Sequence, residues 1–143
     1  MATVEKSALV LFSAKQMYDL VNDIDRYHEF LPWCKNSKVI LAETHKICGE
    51  IQISRVGIKQ TFSSCNQLTP HEKIEIALLK GPFKQLEGAW QFQALKEDAC
   101  KISLHLDFEF SGGLIDKAFS AVFNEIANTM VDSFSQRAKI IYA

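Results

Sequence analysis

The chain has 143 residues, 48% hydrophobic and 23% charged, which are the proportions of an ordinary soluble globule long enough to bury a sizeable core. A formal net charge of −1, with sixteen basic residues spread along the sequence, gives no electrostatic case for wrapping DNA or adhering to an anionic membrane. No apolar run approaches the roughly 20 residues of a membrane span, which leaves peripheral membrane contact at most.

Thr3 to Phe12 reads as a first strand, where a presequence or hydrophobic signal would otherwise stand. The expectation is a cytoplasmic protein, 1–143 forming one domain. Ser13-Ala14-Lys15-Gln16 has the form of a capping box, and Met17, Leu20 and Val21 give the following helix its apolar face. Asn22 is a natural stop. Asp23 or Asp25 is placed to cap a second short helix, which Pro32 ends because proline cannot continue the hydrogen-bond ladder.

From Ser37 to Ser111 the period becomes two. Val39 and Leu41, then Ile47, Ile51 and Ile53, then Phe62 and Leu68, then Ile74, Ile76 and Leu78, then Trp90 and Phe92 mark successive apolar faces. The clearest is Ile102, Leu104, Leu106, Phe108 and Phe110 against Lys101, Ser103, His105, Asp107 and Glu109. Breaks at Thr44–Lys46, Gly57, Pro70-His71, Gly81-Pro82 and Lys96–Asp98 have hairpin spacing.

After the flexible pair Gly112-Gly113, a long uninterrupted helix is expected. Placed on a wheel from Ile115, it carries Phe119, Val122, Phe123, Ile126, Met130 and Phe134 on one stripe. Lys117, Asn124, Asn128, Asp132, Ser135 and Lys139 fall on the other side. Asp116 near its start and Arg137 and Lys139 near its end suit the helix dipole. An α+β fold follows: a curved antiparallel sheet of about seven strands, two short helices after the first strand, and a long C-terminal helix covering the concave apolar face.

Cys34, Cys48, Cys65 and Cys100 lie 14 to 35 residues apart with no C-x-x-C pair, so reduced, buried thiols are expected and a metal site is not. His28, His45, His71 and His105 are dispersed and make no nucleophile–base pair, so no catalytic residue is assigned. His105, Asp107 and Glu109 read as a solvated charge ladder.

Two runs are unusual: Tyr27-His28-Glu29-Phe30-Leu31-Pro32-Trp33-Cys34, and Gly81-Pro82-Phe83 with Leu86-Glu87-Gly88 and Trp90. With the closing Phe134, Arg137-Ala138 and Tyr142, they resemble the START-like helix-grip superfamily. More narrowly, they resemble its coenzyme-Q-binding and ribosome-association-toxin branch, also labelled polyketide cyclase/dehydrase. The chain departs from it at Tyr27-His28-Glu29-Phe30, where members often carry Tyr-Pro-Glu-Phe. The resemblance implies an apolar cavity between sheet and C-terminal helix, which in the mitochondrial branch binds polyprenyl quinone and supports respiration. In the bacterial branch it implies a toxin of toxin–antitoxin type that binds the large ribosomal subunit and blocks subunit joining.

The leading expectation is therefore a non-enzymatic protein that binds ubiquinone or another polyprenyl lipid, without covalent or metal cofactor. Ribosome association is the alternative, and a polyketide-cyclase-type enzyme stands behind both. Candidate lining residues are Phe30, Leu31, Trp33, Phe62, Phe83, Trp90, Phe92, Phe108, Phe119, Phe123 and Met130. Arg55 and Asn66, which share parity with apolar neighbours, are candidate polar anchors, as is Arg137 on the core side of the last helix. The corner carrying Trp33 is the candidate gate.

Overall fold

The computed structural model describes residues 2–55, 57–112 and 114–142, with every side chain among them except those of residues 114–116. The parts assigned above to Gly113, Ile115 and Asp116 lie outside the described residues and side chains. The elements run β1 (Ala2–Val10), α1 (Ala14–Asn22), a 3-10 segment (Ile24–Glu29), β2 (Cys34–Ala42), β3 (Lys46–Arg55), β4 (Ile58–Thr69), β5 (Lys73–Lys80), β6 (Phe83–Lys96), β7 (Ala99–Phe110) and α2 (Leu114–Tyr142). The seven strands form one sheet in the order β1-β7-β6-β5-β4-β3-β2, and every pairing is antiparallel. The chain meanders from β2 to β7, and β1 closes beside β7. The sheet curls around α2, which is about 44 Å long by its rise per residue and packs on β1, β7 and β4. This is the expected α+β helix-grip architecture.

The period-two pattern fixes which side faces the helix. On β7, Ile102, Leu104, Leu106 and Phe108 are buried, while Lys101 and His105 between them are exposed. At Gly88 the backbones of β6 and β7 approach so closely that a Cβ would stand 2.0 Å from the His105 carbonyl oxygen, so no side chain fits there.

At the corner, the Ser13 Oγ accepts from the Gln16 backbone N–H while the Gln16 side chain accepts from the Ser13 N–H, so the capping box forms as read. Neither aspartate caps the next turn through its side chain. Asp23 occupies the cap position without such a bond, and Asp25 instead accepts the backbone N–H of Val39, tying the corner to β2. The Tyr27 hydroxyl donates to the Val21 carbonyl, and Tyr27 packs edge-on against Phe134 of α2.

Three expectations need correction. Leu41 is exposed, because a register shift between Val39 and Leu41 breaks the alternation of edge strand β2. Ser135 is buried and donates to the Val131 carbonyl, so the buried arc of α2 is wider than the phenylalanine stripe and includes Ala127, Val131 and Ala138. Third, Cys48 and Cys65 are not free thiols. They are direct cross-strand partners in β3 and β4, with Cα atoms 4.1 Å apart, and are joined as a disulfide. Their 17-residue separation conceals this, because hairpin register and not linear distance decides which cysteines meet. Cys34 and Cys100 are free and buried.

Candidate functional site

A cavity of about 90 Å³ lies between the middle of the sheet, α2 and the helical corner. β3 contributes Gly49, Ile51 and Ile53, and β4 contributes Phe62, Ser64 and Asn66. Ile74 and Ile76 of β5, Leu86 and Trp90 of β6, and Leu104 and Leu106 of β7 complete the floor. α2 roofs it with Phe123, Ile126, Ala127 and Met130, and the corner closes the side with Val21, Ile24, Tyr27 and Trp33. These strand residues converge because they all point to the concave face.

Among the described residues no lining side chain is charged. Tyr27 is the one titratable group among them, and burial holds its phenol far above the usual range, with smaller contributions from Asp23 and Cys34. Burial likewise pushes the nearby Cys34 thiol up to about 11, against smaller opposing effects of Ser37 and the Asn36 backbone, which makes it an inert thiol. On β4 the lining has a small polar pole, where the Ser64 hydroxyl donates to Asn66 Oδ1 at 3.1 Å.

Of the expected ligand-facing residues, Trp33, Phe62, Asn66, Trp90, Phe123 and Met130 line the cavity. The others stand elsewhere. Phe83, Phe108 and Phe119 belong to a solid aromatic block with Phe110 and Phe123 at the beginning of α2. Phe92 lies between Trp90 and Tyr18, and Leu31 is core. Phe30 packs on Phe134 beneath the Arg137 guanidinium, 4.9 Å from the ring centroid.

Neither arginine is a cavity anchor. Arg55 is an exposed strand-end residue paired at 2.8 Å with Glu125 of α2. Arg137 bonds Glu29 at 3.2 Å, while its Nε is buried without a partner among the described residues, so it fastens the corner to α2. The sequence reading missed the aliphatic lining: Ile51, Ile53, Ile74, Ile76, Leu104 and Leu106 were already on inward faces, and the preference for aromatic residues passed over them. Among the described residues no three His, Cys, Asp or Glu side chains gather as metal ligands.

The profile of the family described as polyketide cyclase/dehydrase and lipid transport matches residues 10–135. The chain belongs to that family. It is 48% identical to the ribosome association toxin RatA of Vibrio cholerae over 99% of both chains. It is 44% identical to RatA of Escherichia coli K12, over 100% of this chain and 90% of that one. It is also 29% identical to the mitochondrial coenzyme Q-binding protein COQ10 homolog B of Xenopus laevis, over 96% of this chain and 58% of that protein.

The fold is shared with solved structures at low identity. The Zhui aromatase/cyclase from Streptomyces sp. R1128 superposes with a TM-score of 0.83 at 16% identity, covering 96% of this chain and 93% of that one. A START superfamily protein from Mycobacterium smegmatis superposes at 0.80 and 16%, covering 97% and 98%.

Proposed function

We propose that this chain is a ribosome-associating protein that acts by binding and not by catalysis. The carrying observation is its 48% identity, across 99% of both chains, to a protein named as a ribosome association toxin. This reverses the order expected from the sequence, where quinone binding stood first. The finer reading is that it holds the large subunit in the cytoplasm and blocks joining with the small one.

Topology supplies a surface suited to such a partner. Lys59 beside the β3–β4 turn, Lys80 and Lys84 around the β5–β6 turn, and Lys117 in the first turns of α2 gather at one end of the sheet. All four are exposed, and none is ion-paired among the described residues. At the opposite end the turns carry Glu43, Glu72, Glu97 and Asp98, flanked by Lys46, Lys73 and Lys96. Four of the sixteen basic residues thus stand unpaired at one pole where they could meet phosphate, despite the net charge of −1.

The test is pelleting of the purified protein with isolated large subunits. Binding is expected, with affinity falling steeply as salt is raised from about 50 to about 200 mM, and Lys80→Glu with Lys84→Glu flattening that slope. Protein left in the supernatant at low salt would overturn the proposal.

A second reading is favoured by the cavity itself: an apolar ligand, with ubiquinone or a related prenyl lipid as the expected class. The identity to a coenzyme Q-binding protein supports it. A cavity of about 90 Å³ is smaller than the roughly 150 Å³ that accommodates benzene, so a quinone ring requires the corner around Trp33 to move outward. Native mass spectrometry with organic extraction of the copurified material tests this reading, and a clean apo protein that takes up no added quinone would count against it.

A further inference from the structure

We infer that the side-chain amide of Asn66 is a recognition group of the cavity, so that its ligand is an uncharged, mainly apolar molecule presenting a carbonyl or ether oxygen. This rests on the cavity reading just given. The Asn66 backbone is occupied in the ladder between Ile47 of β3 and Ile76 of β5, and its side chain is buried on the cavity side of β4. Ser64 Oγ donates to Asn66 Oδ1 at 3.1 Å, and with the amide in this orientation its NH₂ group is turned away from Ser64. That NH₂ donates to nothing among the described residues. Nor is it one of the sealed polar atoms left without a partner, which among the described residues are Asn22 Oδ1 and Arg137 Nε. Its hydrogens therefore face open space, and the space beside Asn66 is the cavity.

Two other side-chain donors among the described lining residues are spent. The Tyr27 hydroxyl donates to the Val21 carbonyl, and the Ser64 hydroxyl is given to Asn66. Beside the indole N–H groups of Trp33 and Trp90, for which no acceptor stands among the described residues, the amide hydrogens of Asn66 are left to meet a ligand, and what they seek is an acceptor. A buried N–H without an acceptor is costly, so an incoming oxygen regains a full hydrogen bond in a site that water fills poorly. A carboxylate or ammonium group would be stripped of water with no opposite charge in the lining, which selects against charged ligands.

The experiment compares two probes of nearly equal shape, cyclopentanone and methylenecyclopentane, titrated into the ¹⁵N-labelled full chain. The ketone is expected to bind about fivefold more tightly, the value of one net hydrogen bond, and to shift the Asn66 side-chain NH₂ resonances downfield. In Asn66→Leu the two probes should bind equally. The wild-type resonances decide the matter even should that variant fold poorly. Equal binding of both probes to the wild type, with the Asn66 NH₂ unmoved, would overturn the assignment and leave the cavity reading standing. Absence of binding by either probe would remove the cavity reading and this inference with it.

Discussion

α2 meets the sheet in two different ways along its length. Near its beginning, Phe119 and Phe123 interlock with Phe83, Phe108 and Phe110 at ring separations of 4.9–5.9 Å, mostly edge to face. Further along, Ile126, Ala127 and Met130 look into a cavity floored by isoleucine and leucine. Both regions are apolar, and both come from the same alternating strands. They differ in how well the side chains fill the space that the curvature leaves. Each aromatic pair adds about 0.5–1.5 kcal/mol beyond burial, whereas a void forfeits contacts on one side of every atom that lines it. The aromatic block secures the fold, and the aliphatic middle leaves space for a ligand.

The largest effects should fall on the block. Phe108→Ala should cost about 3–5 kcal/mol, and Ile76→Ala, at the half-buried edge of the cavity, about 2 kcal/mol, because a side chain already facing a void surrenders fewer contacts. Urea denaturation would measure both, and equal losses would erase the distinction between the regions. Filling the hollow should do little to stability. Ala127→Leu is expected to remain within about 1 kcal/mol of the wild type while removing uptake of small apolar probes, since the added methyl groups enter existing space. A loss of several kcal/mol would mean that this part of the interface is as tightly packed as the other.

The smallest effect concerns the outer face. His105 Nε2 lies 3.0 Å from Asp107 Oδ2, and Glu5 stands 3.6 Å from Nδ1. The hydrogen bond to Asp107 is the main cause that raises the His105 pKa above its ordinary value, with the Asp107 and Glu5 charges adding to it. In Asp107→Asn an NMR titration should show it moving down. Because the folded pKa is the higher one, any stabilisation is complete below the unfolded pKa near 6.5 and disappears as pH rises through the folded value. The ring is exposed, so the change in stability should be slight.

Much of this was legible from the residues. Strand parity placed Leu104, Leu106 and Asn66 inward, and the capping box and hairpin breaks fell where the elements begin and end. Three things were not. Hairpin register made Cys48 and Cys65 partners, nearly equidistant from the break at Gly57, and cysteine spacing taken without that turn does not show it. The division between solid and hollow depends on volumes summed over several strands, so Phe108 and Phe119, apolar and inward, looked like lining and proved to be filler. Arg55 had the parity of a buried residue, but at a strand end its long side chain reached the edge and paired with Glu125.

The central functional claim is association with the ribosome, and the most direct measurement is a sucrose-gradient profile of intact ribosomes with and without the purified protein. Ribosome association predicts fewer joined particles, more free subunits, and the protein migrating with the large subunit. An unchanged subunit-to-monosome ratio, with the protein remaining at the top of the gradient, would contradict it.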